Sequence, residues 1–362
     1  MRHNSISLGV LVVTCILYTC VELLQDNLDE SIVLYQKALA MNGQLALPGA
    51  SNNSTHSAYS VTTLERSTKA LLRHMSVAQP SPMMWTNDIG PFHFTNNFEN
   101  ISQARDAGYA MVAEAHLFIV QVQEIKLTEG KDWLPTQKFI DRRDKLKNNL
   151  FRWDAAVHTL IKSRSQPIFE SPDDDELYST LMLSWTQYLI ELSTLLTAYE
   201  TSYDKFFPQF QSMLGYIRRV VAVQQARSNR PVFVLETRIL PALHYVAVKC
   251  RHPLIRREAI SLTENDAPRM EYYFKADHTA EEAKRIIGIE EAGGNETGVF
   301  QPQCPPDKVD ALPAEEHRIY RELLSEVPNP YSKEPNQYLT YGMWRREGED
   351  GAWIATEHVI KL

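Results

Sequence analysis

The densest chemistry in this sequence lies between positions 241 and 257, where Pro241, Lys249, Cys250, Arg251, Pro253, Arg256 and Arg257 fall close together. Four cations and a thiol at one chain reversal could hold an anion or an acidic partner. The same residues also make sense as architecture. Pro241 suits a first helical position, where its missing amide hydrogen would have had no intrahelical acceptor. Leu243, Val246 and Cys250 then recur on one side, and Arg251-His252-Pro253 turns the chain into a second helix. Cations at the junction offset a helix C-terminus, so a structural role for all seven is the expectation.

Other reactive residue types occur without the spacing that chemistry needs. His244, Cys250 and His252 offer three soft donors but no spaced fourth, so no zinc site is expected. Cys15 and Cys20 lie five positions apart and face different ways on a helix, which suits small buried hydrophobes better than shared ligation. Asp173, Asp174 and Asp175 follow Ser171-Pro172 and read as acidic first-turn residues behind an N-cap and an N1 proline. No glutamate or glycine stands at calcium-loop spacing beside them. His116 and His158 fall on or near apolar helix faces and are expected to be core histidines. The sequence holds no glycine-rich phosphate loop, no His-Glu-x-x-His pair, no nucleophile elbow and no Cys-x-x-Cys. A non-enzyme with no catalytic residue, no metal and no cofactor is expected.

Composition narrows the class further. A formal net charge of −8 argues against direct nucleic-acid binding, which draws its affinity from a basic face that releases counterions. With 44% apolar residues in 362, the chain can bury a large core without staples. Its four cysteines match neither a zinc cluster nor a disulfide framework and suit a reducing compartment. The strongest opposing signal is the apolar run from Ile6 to Leu24, which suggests a signal peptide or anchor. Its uncharged part, Ile6 to Val21, has 16 residues, short of the ~20 that span a bilayer. Sequons at Asn52, Asn53, Asn100 and Asn295 keep an exported or membrane-anchored protein as an alternative. No membrane contact is the main expectation, with the run forming a helix buried on all sides.

The elements follow from period and punctuation. After the polar turn Gln25-Asp26-Asn27, Leu28, Ile32, Tyr35 and Leu39 predict a second helix folding back on the first. A mobile loop is expected near 43–60, then a helix around 64–75 and a proline-rich connector at 80–91. Ala104, Ala107, Met111, Ala115, Phe118, Val122 and Ile125 mark a long helix. Another starts near Pro135 with Phe139, Leu146, Leu150, Trp153, Val157 and Leu160 inward. The pattern from Leu177 to Tyr199 predicts a third. Further helices are expected over 206–227, 231–240, 241–249 and 253–263, and Thr279-x-x-Glu282 predicts a capping box ahead of Ala283. Tyr338 to Arg345 and Ala352 to Ile360, split by Gly348-Glu-Asp-Gly351, predict one terminal β-hairpin. The fold class is therefore all-α, an irregular array of antiparallel helices with a small C-terminal β-hairpin. Residues 1–290 form the helical domain and 291–362 a proline- and polar-rich tail. Trp133, Trp153, Trp185, Tyr188 and Phe210 could line a cavity for a small apolar effector or simply fill the core.

Two segments carry a family resemblance. Val12-Val13-Thr14-Cys15-Ile16-Leu17-Tyr18, running into Glu22-Leu23-Leu24-Gln25-Asp26-Asn27 and then Ser31 to Leu39, resembles part of the fungal-specific transcription factor domain. There an apolar helix ends in Phe-Glu-x-x-Gln-Gly-Asn. The second segment runs from Leu240 to Ile260 through Lys249-Cys250-Arg251-His252-Pro253 and Arg256-Arg257. It is similar to the family's Pro-Leu-x-x-Val-Ala-x-Lys-Cys-Arg-x-Pro-x-Ile-Arg-Arg-x-Ala run. Glu271-Tyr272-Tyr273-Phe274 departs from the family's Arg-Glu-Gly-Leu-Trp-Asp stretch. In that family the domain follows a Zn2Cys6 cluster that docks on DNA. Here the cluster and its basic linker are missing, so a domain incomplete at its N-terminus, without a DNA-binding domain of its own, is expected. The resemblance implies a regulatory module in the nucleus, or alternatively the cytoplasm, acting through protein contacts that include homo- or heterodimers. A helical-repeat scaffold is the other alternative, suggested by positions 27–41, but its 34-residue period does not recur.

Overall fold

The computed structural model describes residues 8–25, most of 30–41, 97–129, 133–162, 172–227, 233–234, 238–304 apart from 273 and 296, 311–324, 338–346 and 353–361. The expected loop near 43–60, the helix at 64–75 and the connector at 80–91 lie outside them. The helices are α1 (Leu8–Leu24), α2 (Ile101–Glu129), α3 (Gln137–Lys162), α4 (Pro172–Thr194), α5 (Phe207–Ala226), α6 (Leu240–Lys249), α7 (Pro253–Asn265) and α8 (Ala276–Glu291). A 3-10 helix, Glu200–Phe206, leads into α5. The protein is all-α with a small β element.

Two large cores divide the array, and α4 belongs to both. Phe118 and Val122 of α2, Leu150 and Trp153 of α3 and Leu189 of α4 form one core. Ile190 of α4, Phe210 and Ile217 of α5, Val246 of α6, Ile260 of α7 and Ile286 of α8 form the other. Covered on both sides, α4 also buries Thr180, Thr186 and Thr194, each of which turns its hydroxyl onto the helix carbonyl four residues back. Trp153 spans its core as a polar-tipped peg, donating from Nε1 to the Ala104 carbonyl at 2.8 Å while its ring fills the space beside Gly108.

Several expected boundaries shift. Helix α3 begins at Gln137, with the Thr136 carbonyl accepting the amides of Phe139 and Ile140, so Pro135 stands before the helix. The third helix stops at Thr194, and Tyr199 beyond it is exposed. Of the helix expected over 231–240, the described residues Phe233–Val234 instead form β1, parallel to β2 (Met270–Glu271), which turns back into β3 (Phe274–Lys275), and Leu240 opens α6. Thr279 is no N-cap, because α8 starts at Ala276 and buries Thr279 in its second turn. The expected terminal hairpin is present as β5 (Tyr338–Arg346) antiparallel to β6 (Trp353–Lys361), in unbroken register from Tyr338 opposite Lys361 to Arg346 opposite Trp353. A third strand, β4 (Ile319–Leu324), joins β5. Packing also crosses the expected boundary at 290, since Phe300 and Ile319 sit on the α5–α8 core.

Helix α1 is buried on one side, not all round. Val12, Ile16 and Thr19 are covered, whereas Leu11, Leu17, Tyr18 and Val21 face outward. The covered side meets Tyr35 and Ala38 of the following helical segment, so the predicted helix pair is in contact; Leu28, Ile32 and Leu39 lie outside the described residues. Among the described residues no helix is long and apolar enough to cross a membrane. The pair docks on Tyr272, whose backbone is left-handed at φ 51 and whose amide donates to the Val234 carbonyl at 2.7 Å. A bulky residue adopts that backbone only when its surroundings hold it there. Tyr272→Ala is therefore expected to remove about 3–5 kcal/mol of packing, as core aromatic truncations do. Hydrogen exchange should show residues 8–41 losing protection while α4 and α5 keep theirs.

Candidate functional site

The corner between α6 and α7 gathers the seven residues singled out in the sequence. Pro241 occupies the first turn of α6 and Pro253 that of α7. Between them Cys250 ends α6, buried, its amide bonded to the Val246 carbonyl at 3.1 Å. Burial pushes its thiol up to about 11, so it is a protonated, packing group. Each cation then meets a specific acceptor. Lys249 Nζ donates to Glu200 Oε2 at 3.0 Å and to the Tyr320 carbonyl at 2.6 Å. Arg251 clamps Asp204 with two nitrogens and also reaches the Pro313 carbonyl. Arg257 holds Glu291 bidentately at 2.8 and 2.6 Å and donates to the Gln301 carbonyl at 2.9 Å.

Arg256 goes deepest. With its side chain fully buried it pairs with Glu290, which also accepts from Arg318, equally buried, at 2.5 Å. Glu290 Oε1 takes the Ile319 amide at 2.8 Å. The two guanidiniums reach onward to the carbonyls of Ala247, Val248 and Lys249, the free carbonyl end of α6. Burial alone would raise the Glu290 carboxyl, but Arg256, Arg318 and the Ile319 amide outweigh it and hold it below the usual carboxylate range. The motif cations thus join α6, α7 and α8 to segments near 200–204, 301 and 313–320. They are turned inward onto acceptors of this chain, not outward as an open anion site.

Next to Lys249 lies a small, half-open polar recess walled by Lys126, Glu191, Thr194, Glu200, Tyr203 and Tyr320 among others. Lys126 of α2 donates to the carbonyls of Leu195 and Thr197 at 3.3 and 2.8 Å, where α4 ends. The ammonium groups of Lys126 and Lys249 stand 4.9 and 5.7 Å from the centre of the Tyr320 ring. Glu315 accepts the amides of Glu200 and Thr201 at 2.9 and 2.8 Å. The labile group is Glu191: burial lifts it to about 7, against the Gln187 hydrogen bond at 2.8 Å and the Lys249 charge.

An acid whose folded pKa lies above its unfolded value binds its proton more tightly in the folded state, so stability falls as pH rises through that window. Glu191 should contribute such a fall between about 4.5 and 7. In Glu191→Gln, which mimics the protonated form, this part of the slope should vanish. Urea denaturation of both proteins from pH 4.5 to 8 measures it, the wild type losing stability relative to the variant up to about pH 7 and running parallel above.

The remaining sequence candidates disperse. His244 faces Glu282 at 3.6 Å, Cys250 is buried, and His252 stacks on Phe207 at 4.9 Å, so the three donors point to different neighbours. Among the described residues no three metal-binding side chains converge. His116 lies against Tyr188, with Nδ1 3.4 Å from the hydroxyl, and burial lowers it to about 4. His158 is on the solvent side, not in the core, half-exposed beside Asp154. Trp133, Trp153, Trp185 and Tyr188 pack in the α2–α4 core and Phe210 in the other, and none of the five lines the recess. Comparison with family models, with curated proteins and with solved structures found no match.

Sequence reasoning missed three buried carboxylates that act on distant backbone or cations. Glu271 Oε2 accepts the amides of Arg238, Ile239 and Leu240 at 2.9, 2.8 and 2.8 Å, and so caps α6 from 31 or more residues away. Glu176 takes Arg238 and Arg227, each at 2.5 Å, and Gln224 at 3.0 Å. Glu290 binds the two arginines described above. The one available signal was a glutamate on an otherwise apolar helical face, such as Glu290 after Ile286, Ile287 and Ile289.

Proposed function

We propose that this chain is a non-catalytic regulatory and interaction module of the kind found in fungal zinc-cluster transcription factors. It acts through protein contacts, homo- or heterodimeric. The nucleus is its expected place, the cytoplasm the alternative. The observation that supports this best is the use of the 241–257 segment. All seven residues that resemble the family run have structural partners or helix-starting positions, so the resemblance rests on residues that shape a helical corner. In the polar recess Lys249 pairs with Glu200, and Lys126 donates to the carbonyls of Leu195 and Thr197.

The test fuses the full chain to a heterologous DNA-binding domain in a fungal host carrying a matching reporter. Reporter output is expected to change at least fivefold against the DNA-binding domain alone. Output equal to that of the DNA-binding domain alone, with the fusion present in the nucleus at comparable level, would reject the reading.

A further inference from the structure

Exposed apolar side chains gather on one helix. Among the described residues eleven large apolar side chains are exposed, and four of them, Leu11, Leu17, Tyr18 and Val21, lie on α1 at 38, 60, 56 and 42% exposure. The other seven stand singly along the chain, as isolated apolar residues commonly do on protein surfaces. Together with exposed Thr14 and Gln25, the residues Leu11, Tyr18 and Val21 draw a row at positions 11, 14, 18, 21 and 25. Steps of three, four, three and four are the spacing of a coiled-coil seam, which keeps one side of a helix turned to a neighbour. Leu17 flanks that row.

The opposite side of α1 is already fixed, since Val12 and Ile16 pack with Tyr35, Ala38 and Tyr272. The row therefore sits on a helix that is in place before any partner arrives, which lowers the ordering cost of docking. The row is also uncharged. Glu22 is the single charged residue of α1, and the helix holds no lysine or arginine. A helix lying on a lipid surface normally carries basic residues on its polar face. A charged protein face would leave its charges desolvated against leucine, tyrosine and valine. What matches is another uncharged row of the same spacing, and the chain itself supplies one.

We propose that α1 pairs through this row with α1 of a second copy of the chain, antiparallel about a twofold axis level with Ile16. That arrangement sets Leu11 against Val21 of the other copy and Tyr18 against Thr14, so the largest side chain of the row meets the smallest. Leu17, the most exposed of the four, lies beside its own counterpart next to the axis. The two Glu22 carboxylates fall about 18 Å apart along the helices at 1.5 Å per residue. A parallel pair would stack Tyr18 on Tyr18, leave Thr14 facing Thr14 and bring both Glu22 residues to one level. Six residues a side fall short of the ~20–30 of a standard interface, so the dimer is weak and reversible, dissociating at about 10–100 μM. The inference names one surface for the protein-contact reading above and rests on it only in taking the occupant to be protein.

The test is analytical ultracentrifugation of the full chain from about 2 to 400 μM, a range that brackets the expected dissociation. The mean mass should climb from monomer toward dimer, and the affinity should hold or rise between about 0.1 and 0.5 M salt, because no ion pair forms the contact. Tyr18→Glu should weaken dimerisation at least tenfold. Leu134→Glu, which puts the same charge on the most exposed apolar residue elsewhere, should leave it within twofold. Leu11→Lys and Val21→Glu should each weaken it at least tenfold, and the two combined should recover at least fivefold over either alone. In the antiparallel pair each new lysine meets a new glutamate of the other copy. Within one helix the two positions lie about 15 Å apart, so the recovery has no intramolecular route.

A chain that stays monomeric throughout, a dimer indifferent to Tyr18→Glu, an equal loss in Leu134→Glu, or a double variant no better than its parents would each overturn the proposal. So would a monomer that binds phosphatidylcholine vesicles and is released by Tyr18→Glu, since the row would then face lipid. Should circular dichroism show Tyr18→Glu unfolded, Tyr18→Ser replaces it, with a threefold loss expected and no loss overturning. Dimerisation with a silent reporter would remove the transcriptional reading and leave this one standing; an active reporter from a monomeric chain does the reverse.

Discussion

Glu290→Ala is expected to cost about 3–5 kcal/mol, because it leaves the fully buried guanidiniums of Arg256 and Arg318 without their counter-charge. That is a large share of the ~5–15 kcal/mol by which most domains are stable. The Ile319 amide loses its acceptor as well, so β4 should loosen where it leaves the helical body. Replacing the whole triad with Arg256→Met, Glu290→Leu and Arg318→Met should be less harmful than the single change. Buried ion pairs often repay their desolvation so poorly that apolar substitutes match them. Here the substitutes should still fall short of the wild type, since the carbonyls of Ala247, Val248 and Lys249 would lose their donors at the end of α6. Urea midpoints for the three proteins should therefore rank wild type, triple variant, single variant. The depressed Glu290 carboxyl adds a pH signature of opposite sign to that of Glu191. Its contribution is present above the ordinary carboxylate range and is lost as pH falls below about 4.5, so Glu290→Ala should flatten the acid limb.

The second large effect is steric. Helix α8 crosses the returning chain at Gly288 and Gly298 so closely that a methyl on Gly288 would sit 2.8 Å from both the Gly298 carbonyl oxygen and the Phe300 nitrogen. A methyl on Gly298 would strike the Gly288 carbonyl. In both cases the obstacle is backbone, which cannot swing aside as a long side chain would. Gly288→Ala and Gly298→Ala are each expected to cost at least about 2 kcal/mol, at the upper part of the overpacking range. The displacement should also break the bond from Arg257 to the Gln301 carbonyl and move Phe300 off the Arg257 guanidinium, now 5.4 Å from its ring centre. Gly215 supplies the contrast. It lies inside α5 with no neighbour within 4 Å of an added methyl, so Gly215→Ala should stabilise by up to about 1 kcal/mol through helix propensity alone. Denaturation midpoints moving in opposite directions for these variants would check the packing argument directly.

Much of the helical layout was legible before any coordinates. The stripes Met111-Ala115-Phe118-Val122 and Leu146-Leu150-Trp153-Val157 are buried as their period requires, and both proline-started helices at 241 and 253 appear in place. The errors share a cause. Thr279-x-x-Glu282 has the form of a capping box, yet α8 starts one turn earlier because β3 hands the chain over at Lys275. Residues 231–240 have enough apolar character for a helix, but pairing with Met270-Glu271 takes two of them as a strand. Local pattern lost to a partner distant in sequence each time. For the α1 run, hydropathy alone made the helix look enclosed, whereas its described surroundings cover only the side of Val12, Ile16 and Thr19.

By itself the sequence determined the helical class, the α6–α7 corner and the terminal hairpin, because each depends on side-chain period or on prolines and glycines acting within a few residues. Tertiary structure alone decided which charges are buried and with whom. Glu271 caps a helix that starts 31 residues earlier, Glu290 joins Arg256 to Arg318, and Lys249 meets both Glu200 and Tyr320. The same holds for the inward turn of the corner's cations onto acceptors of this chain. Coulomb energy depends on separation and on the surrounding dielectric, and neither is set until the helices are placed against one another.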